Sequence, residues 1–141
     1  MMKQGFEDAF VELQSDFVSL GMELLEGIAE EIYIYISLEK GEELFNAFAK
    51  HNGQIRGLGS LISDEALIFE FLDLGSADLP KIKKLCEEYG QPIPTQIKMH
   101  YEVTTGKYNA DIKYEPQCPK GTDIDSVQNF LDWFDEEKKN N

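Results

Sequence analysis

Apolar and polar residues alternate between residues 94 and 116, in the most regular pattern of the chain. Two alternating runs flank Thr104-Thr105-Gly106, a short segment with a turn-forming glycine. The apolar positions are Ile97, Met99, Tyr101 and Val103 in the first run and Tyr108, Ala110, Ile112 and Tyr114 in the second. Because strand side chains point alternately to opposite faces, this pattern predicts an antiparallel hairpin with one buried face. The other face has mixed charge and suits solvent or a partner; it carries Lys98, His100, Glu102, Lys107, Asp111 and Lys113.

A helical period runs from residue 6 to residue 29 and predicts one long amphipathic helix. Its apolar positions recur at steps of three and four residues: Phe6, Phe10, Leu13, Phe17, Leu20, Leu24 and Ile28. The opposite side is acidic, with no Lys or Arg between Lys3 and Lys40, and carries Asp8, Glu12, Asp16, Glu23, Glu26 and Glu30. Such a helix lacks the oppositely charged i,i+4 pairs that usually support an exposed face.

Three strands are predicted between this helix and residue 62. The first spans residues 32–38, and its β-branched and aromatic residues favour a strand. Its isoleucines, Ile32, Ile34 and Ile36, share one face, and Tyr33 and Tyr35 share the other. Residues 44–49 form either a second strand or a short helix, before the turn-forming pair Asn52-Gly53. Residues 54–62 form a third strand, weakened by glycine.

Helices are predicted in three further segments, one of which also fits a strand. Residues 63–74 form either a helix capped by Ser63 or a strand over residues 67–72. A middle helix begins at the cap Ser76, tolerates Pro80 in its first turn and stops at Gly90. The last helix spans residues 124–138, and the residues predicted to form its apolar face are Val127, Phe130, Leu131 and Phe134.

The order of these elements predicts an α+β fold: an antiparallel sheet with an N-terminal amphipathic helix, a middle helix and a C-terminal helix. The 141 residues suit a single domain over residues 1–141. The N-terminus has no apolar stretch typical of a signal peptide, and no segment is long enough to span a bilayer, so we expect a cytoplasmic protein. In that compartment Cys86 and Cys118 are expected to be reduced thiols.

The net charge of the chain indicates which classes of binding partner are favoured. The 27 acidic and 13 basic residues give a net charge of −14. This disfavours direct binding to nucleic acid or to an anionic membrane, because both interactions depend on Lys and Arg. It favours a basic protein partner.

Catalytic chemistry is poorly represented. His51 borders a predicted turn and His100 lies on the polar face of the hairpin, and neither has metal-ligand spacing to a second histidine. Asp123 and Asp125 begin like a calcium loop, but Gln128 stands where that loop needs glycine. We therefore predict no enzymatic activity, no metal and no cofactor.

Acidic residues concentrate in the two terminal helices. Residues 1–45 hold eleven acids and two lysines, a local charge of −9. If the terminal helices packed side by side on one sheet, their outer faces would form one anionic surface able to fill a basic cleft. The predicted partner-binding residues are Glu12, Asp16, Glu23, Glu26, Asp132, Asp135 and Glu136. Binding hot spots are often aromatic, so Tyr33, Tyr35 and Trp133 are candidates only if they are exposed.

The chain resembles the YezG-like immunity proteins, the antitoxins of bacterial polymorphic toxin systems. The resemblance covers residues 6–116 and rests on the first helix, on "IYIYISLEKGEELFNAFAKHNGQI" and on "LPKIKKLCEEYGQPIPTQIKMHYEVTTGKYNADIKYEP". The hairpin of the family is matched by Gly106-Lys107-Tyr108, Asp111 and Tyr114-Glu115. The family often has a tryptophan where this chain has Pro94-Thr95.

The resemblance implies a non-enzymatic inhibitor that binds a cognate toxin domain, in several relatives a nuclease. Two alternatives stay open from the sequence. The first is a cytosolic adaptor or scaffold that forms a homodimer through an apolar face. The second is a metal-dependent hydrolase built on clustered carboxylates.

Overall fold

The computed structural model describes residues 5–140, which form four α-helices and one five-stranded antiparallel sheet. This confirms the predicted α+β class. The helices are α1 (Phe6–Leu24), α2 (Leu58–Leu61), α3 (Glu65–Glu88) and α4 (Ser126–Lys139). The strands are β1 (Glu31–Ser37), β2 (Leu44–His51), β3 (Gln54–Gly57), β4 (Gln96–Glu102) and β5 (Tyr108–Lys113). The strand order is β3-β2-β1-β4-β5.

Strand β1 lies at the centre of the sheet and is buried on both faces. Ile32, Ile34 and Ile36 point into the larger core, which α1 and α3 cover. Tyr33 and Tyr35 point into a smaller aromatic core beneath α4. The sheet therefore separates two helical layers, and we call its two sides the isoleucine face and the tyrosine face.

The predicted hairpin is confirmed as β4 and β5. Tyr101 pairs with Tyr108 next to the turn, and Met99 pairs with Ala110. Gly106 has φ of 75°, a conformation that glycine adopts at little cost. The predicted apolar positions lie on the isoleucine face, but Tyr114 lies beyond the end of β5 and is exposed.

Helix α1 is shorter than predicted. It ends at Leu24 and not at residue 29, because the chain turns through residues 25–28 and Gly27 has φ of 75°. A glycine in the left-handed region is a common way to end a helix. Ile28 still packs against the core, although it lies outside the helix.

Two predictions concern the segment after β1, and the structure tests both. Residues 44–49 lie in β2, so the strand prediction is confirmed and the helix alternative is wrong. The predicted third strand over residues 54–62 is too long, because β3 stops at Gly57 and the chain continues as α2. Helical spacing places Leu58 and Ile62 on one side of α2, and both are buried.

Helix α3 joins two predicted elements into one. Residues 67–72 are helical, so the strand alternative is wrong, and Asp64 replaces Ser63 as the N-cap by accepting a hydrogen bond from the Ala66 N–H at 3.0 Å. The helix continues through Ser76, which is therefore not a cap, and Pro80 lies inside it.

Gly75 allows this continuous helix to lie close to the sheet. A Cβ atom at that position would lie 2.1 Å from the ring of Phe45, a buried residue of β2. The absence of a side chain therefore sets how closely α3 and β2 pack.

Helix α4 and the loop that precedes it are held to the β1–β2 connection by two carboxylates. Glu39 accepts hydrogen bonds from the backbone N–H groups of Gln117 and Cys118, and Glu42 accepts one from Ser126 at 2.8 Å. Burial and the charges of Glu39 and Glu42 raise the pKa of the Cys118 thiol to about 11. Cys118 is a free thiol, as is the buried Cys86.

The inward face of α4 differs from the prediction. The helix begins at Ser126 and not at residue 124, because Asp125 is its N-cap. Phe130 is buried as predicted, but Val127 and Leu131 are exposed, and Trp133 takes the inward position instead. Trp133 packs on the aromatic rings of the tyrosine face, which favours it over the smaller aliphatic residues.

Candidate protein-binding surfaces

The N-terminal half of α1 lies beside the C-terminal half of α3, and the groove between them is charge-compensated. Glu12 and Asp16 are exposed on α1, and Lys81 and Lys84 line the same groove from α3. A hydrogen bond from Lys81 to Asp78, the charge of Asp78 and that of Asp16 raise the pKa of Lys81. The two predicted acids are therefore partly balanced by cations of their own chain.

The other end of the same helix pair has no such balance. The C-terminal half of α1 and the N-terminal half of α3 enclose a groove of about 200 Å³, which we call the Glu23–Glu70 groove. Among the described residues that line it, two are glutamates, five are apolar and none is basic: Leu20, Glu23, Leu24, Leu67, Glu70, Phe71 and Leu74. The lining of this groove is thus acidic and apolar throughout.

The sequence pattern indicated Glu23 but not the α3 side of this groove. Leu67 and Leu74 are 48% and 46% exposed, which is high for leucine. Their spacing of seven residues places them on one side of a helix. In a strand the same spacing would place them on opposite faces, and the sequence left the strand alternative for residues 67–72 open. Glu70 lies between them and completes the acidic wall.

The remaining predicted acids lie elsewhere. Glu26 is exposed in the turn that follows α1. On α4, Asp132, Asp135 and Glu136 are exposed. Asp132 accepts a hydrogen bond from the side chain of Gln128 at 2.8 Å, one turn earlier on the helix.

The expectation that the terminal helices lie side by side is wrong. Helix α1 packs on the isoleucine face and α4 on the tyrosine face, so the sheet separates their acidic residues. The cause is visible in β1, where both faces are apolar and each needs a helical cover. The seven predicted residues therefore form two separate surfaces and not one.

The three aromatic candidates do not meet the condition set for them. Tyr33, Tyr35 and Trp133 are buried in the aromatic core beneath α4 and are not available to a partner. Large apolar residues are exposed at other places instead: Val11, Leu67, Phe69, Leu74, Tyr108, Tyr114, Ile124, Val127 and Leu131.

The polar face of the hairpin is partly covered by the same aromatic core. The His100 ring stacks on Tyr33 with 4.4 Å between ring centroids, and the Lys98 ammonium lies 5.5 Å from the centre of the Trp133 ring. Both side chains also border a mixed-charge groove of about 230 Å³ between the hairpin and α4. Lys98 and His100 of β4 therefore contribute to packing, and Asp111 of β5 borders the same groove.

Glu31 connects the polar groups at this edge of the aromatic core. It pairs with His100 and lies 3.3 Å from the Lys50 ammonium, and the Tyr33 hydroxyl donates a hydrogen bond to it at 3.3 Å. Burial raises the pKa of Glu31, but the hydrogen bonds and charges of His100 and Lys50 outweigh that effect and leave the pKa below its ordinary value of 4.5.

Acid is therefore expected to destabilise the protein in part through Glu31. Because its pKa is lower in the folded state, its contribution is complete above pH 4.5 and is lost as the pH falls through the folded-state pKa. We expect Glu31→Gln to cost about 1 kcal/mol at neutral pH. The difference from the wild type should shrink between about pH 5 and about pH 3, measured by urea denaturation. The exposed Glu87→Gln variant is the control and should follow the wild type at every pH.

Residues 5–140 show neither a metal centre nor a membrane-spanning helix. Nowhere in this range do three or more His, Cys, Asp or Glu side chains come together in an arrangement that could hold a metal ion. None of its helices combines the length and the apolar character needed to cross a membrane.

No protein-family model matches the sequence. A comparison with curated protein sequences finds no match either.

Proposed function

We propose that this chain is a non-enzymatic immunity protein of the cytoplasm, which binds and neutralises a basic toxin domain through an acidic helix face. The observation that supports this proposal is the state of the predicted acids. Among residues 5–140, none of the seven lies within 4 Å of a Lys, Arg or His nitrogen. The seven carboxylates therefore form no direct salt bridge within these residues, although Lys81 and Lys84 partly balance Glu12 and Asp16, and they favour fast association with a basic partner.

A nuclease domain is the partner class that fits this surface best. A nuclease needs a basic cleft to hold phosphates, and carboxylates of an inhibitor can occupy that cleft and exclude the substrate. The resemblance to YezG-like immunity proteins supports the same function. The hairpin that carries the resemblance is formed by β4 and β5, next to the centre of the sheet.

One observation favours a second candidate, a homodimeric scaffold. Ile124, Val127 and Leu131 are about half exposed and are spaced to share one side of α4 and its N-terminal extension. A second copy could cover this stripe. The high negative charge of each copy acts against that association.

The test is capture of partners from the native host with this protein as bait, at low and at high salt. We expect recovery of a basic toxin or nuclease domain that is released as salt rises, since screening weakens exposed charge pairs. Co-expression of the two proteins should then restore the growth that the toxin alone prevents. Recovery of the bait alone, as a stable dimer, would replace this proposal with the scaffold.

The two helical layers provide matched variants for this test. One variant neutralises the acids of the α1 region and the other those of α4. The sheet separates the two layers, so a partner of ordinary size contacts one of them, and we expect only one variant to lose capture. The first carries Glu12→Gln, Asp16→Asn, Glu23→Gln and Glu26→Gln, and the second Asp132→Asn, Asp135→Asn and Glu136→Gln.

A further inference from the structure

We infer that the Glu23–Glu70 groove is the docking site for a basic segment of the partner, with one apolar side chain inserted between α1 and α3 and a flanking Lys or Arg on the two glutamates. This inference rests on the proposed function and names the place and the chemistry of the contact. It is carried by the shape of the groove, by its apolar lining and by its charge.

The lining of the groove suits an inserted side chain. Phe71 is buried and forms the floor, and Leu67 and Leu74 expose nearly half of their surface on one wall. Leu20 and Leu24 of α1 form the other wall and are themselves only partly buried. An apolar side chain placed here would remove water from all four leucines, which is the main source of binding energy at such contacts.

The size of the groove limits the occupant. About 200 Å³ is below the range of about 300–1,000 Å³ that is typical of small-molecule sites. It is enough for one apolar side chain of a protein segment. The groove is therefore an anchor point for a protein partner.

Charge identifies the partner segment as basic. Glu23 and Glu70 come from opposite walls, and a cation between them would lie over an apolar floor, where charges attract more strongly than in open water. The far end of the same helix pair supplies Lys81 and Lys84 to its own acids. Of the two grooves between α1 and α3, the Glu23–Glu70 groove is the one whose described lining holds acids and no Lys or Arg.

A second copy of this chain does not fit the groove equally well. The basic run of α3 around Lys81 has its apolar residue, Ile82, buried in its own core. The pairs Lys107-Tyr108 and Lys113-Tyr114 do expose a cation beside an aromatic ring, but the net charge of −14 on each copy opposes docking of one copy on another. The proposed occupant is therefore a different, basic protein.

The experiment titrates the ¹⁵N-labelled full chain with a synthetic peptide that contains one leucine flanked by lysines. We expect chemical-shift changes centred on Leu20, Leu24, Leu67 and Leu74. A peptide with serine in place of leucine, and another with glutamate in place of lysine, should each bind much more weakly. Shifts centred on α4 or on the Lys81 end would overturn the inference.

Two double variants distinguish docking of the peptide in the groove from attraction of the peptide by the net charge of the protein. Glu23→Gln with Glu70→Gln should raise the dissociation constant about fivefold to thirtyfold. The control, Glu12→Gln with Asp16→Asn, removes the same charge from the compensated end of the same helices and should change it by less than about twofold. Equal weakening by both pairs would show that net charge alone attracts the peptide, and would contradict the inference.

A second experiment measures capture of the toxin domain from the native host by variants of the groove. Leu67→Ser and Leu74→Ser lie on exposed positions and should weaken capture of the toxin domain without loss of folding. If the partner binds these variants normally, the groove inference fails and the proposed function stands. If the host yields no partner, the proposed function fails, and the peptide titration still decides whether the groove docks a basic segment.

Discussion

Replacement of Trp133 by alanine is expected to lower the free energy of unfolding by about 3–5 kcal/mol, the range for deleting a large buried aromatic side chain. Trp133 is only 6% exposed, and its ring lies 4.9 Å from that of Phe48 and 5.8 Å from that of Tyr33, measured between centroids. The variant would leave a cavity between α4 and the tyrosine face. Urea denaturation followed by circular dichroism measures the effect.

The same helix offers a matched control for this prediction. Leu131 is 45% exposed, so Leu131→Ala should change stability by less than about 0.5 kcal/mol. A loss below about 1 kcal/mol for Trp133→Ala would show that α4 contributes little to the folded state. That outcome would contradict the packing of α4 on the tyrosine face.

Gly75→Ala is expected to destabilise the protein by about 1–3 kcal/mol through overpacking. Alanine is the better helix former by about 1 kcal/mol, so helix propensity alone predicts the opposite sign. The new methyl group would overlap the Phe45 ring, which cannot move freely because Phe17 and Phe71 pack against it at 5.7 and 5.1 Å between centroids. Equilibrium unfolding of the single variant measures the sign directly.

Two further variants test the cause of that loss. A Cβ atom at Gly59 has no neighbour within 4 Å, so Gly59→Ala should be neutral or stabilising. Adding Phe45→Leu to Gly75→Ala should recover part of the loss, so that the two substitutions cost less together than the sum of their separate effects. Strict additivity would mean that contact with Phe45 is not the cause.

Local periodicity explains which elements the sequence predicted well. Strand β1 and the β4–β5 hairpin have a strict two-residue period. Strand β1 lies within one residue of its expected bounds, and the hairpin has the expected antiparallel pairing. The continuity of α3 was not predictable in this way. Gly75 and Pro80 indicate a break when considered alone, and only packing against β2 shows why the helix continues.

The α1 side of the candidate site was predictable from the sequence, but its α3 side and the grouping of the acids into surfaces were not. Exposure of Glu12 and Glu23 followed from their positions opposite the apolar stripe of the first helix, whereas the apolar face predicted for the last helix was partly wrong. The grouping of the acids depends on which face of the sheet each helix covers, and no local pattern in the helices contains that information. The apolar character of both faces of β1 was the available indication that helices lie on two sides.

Because the sheet has two separate faces, the intrinsic fluorescence of the protein can report on its folding without responding to binding at the groove. Its single tryptophan, Trp133, lies beneath α4, across the sheet from the Glu23–Glu70 groove. Intrinsic tryptophan fluorescence should therefore change when α4 detaches from the sheet or when the protein unfolds. It should not change when a tryptophan-free ligand occupies the groove. Loss of binding can in this way be distinguished from loss of structure in one unlabelled sample.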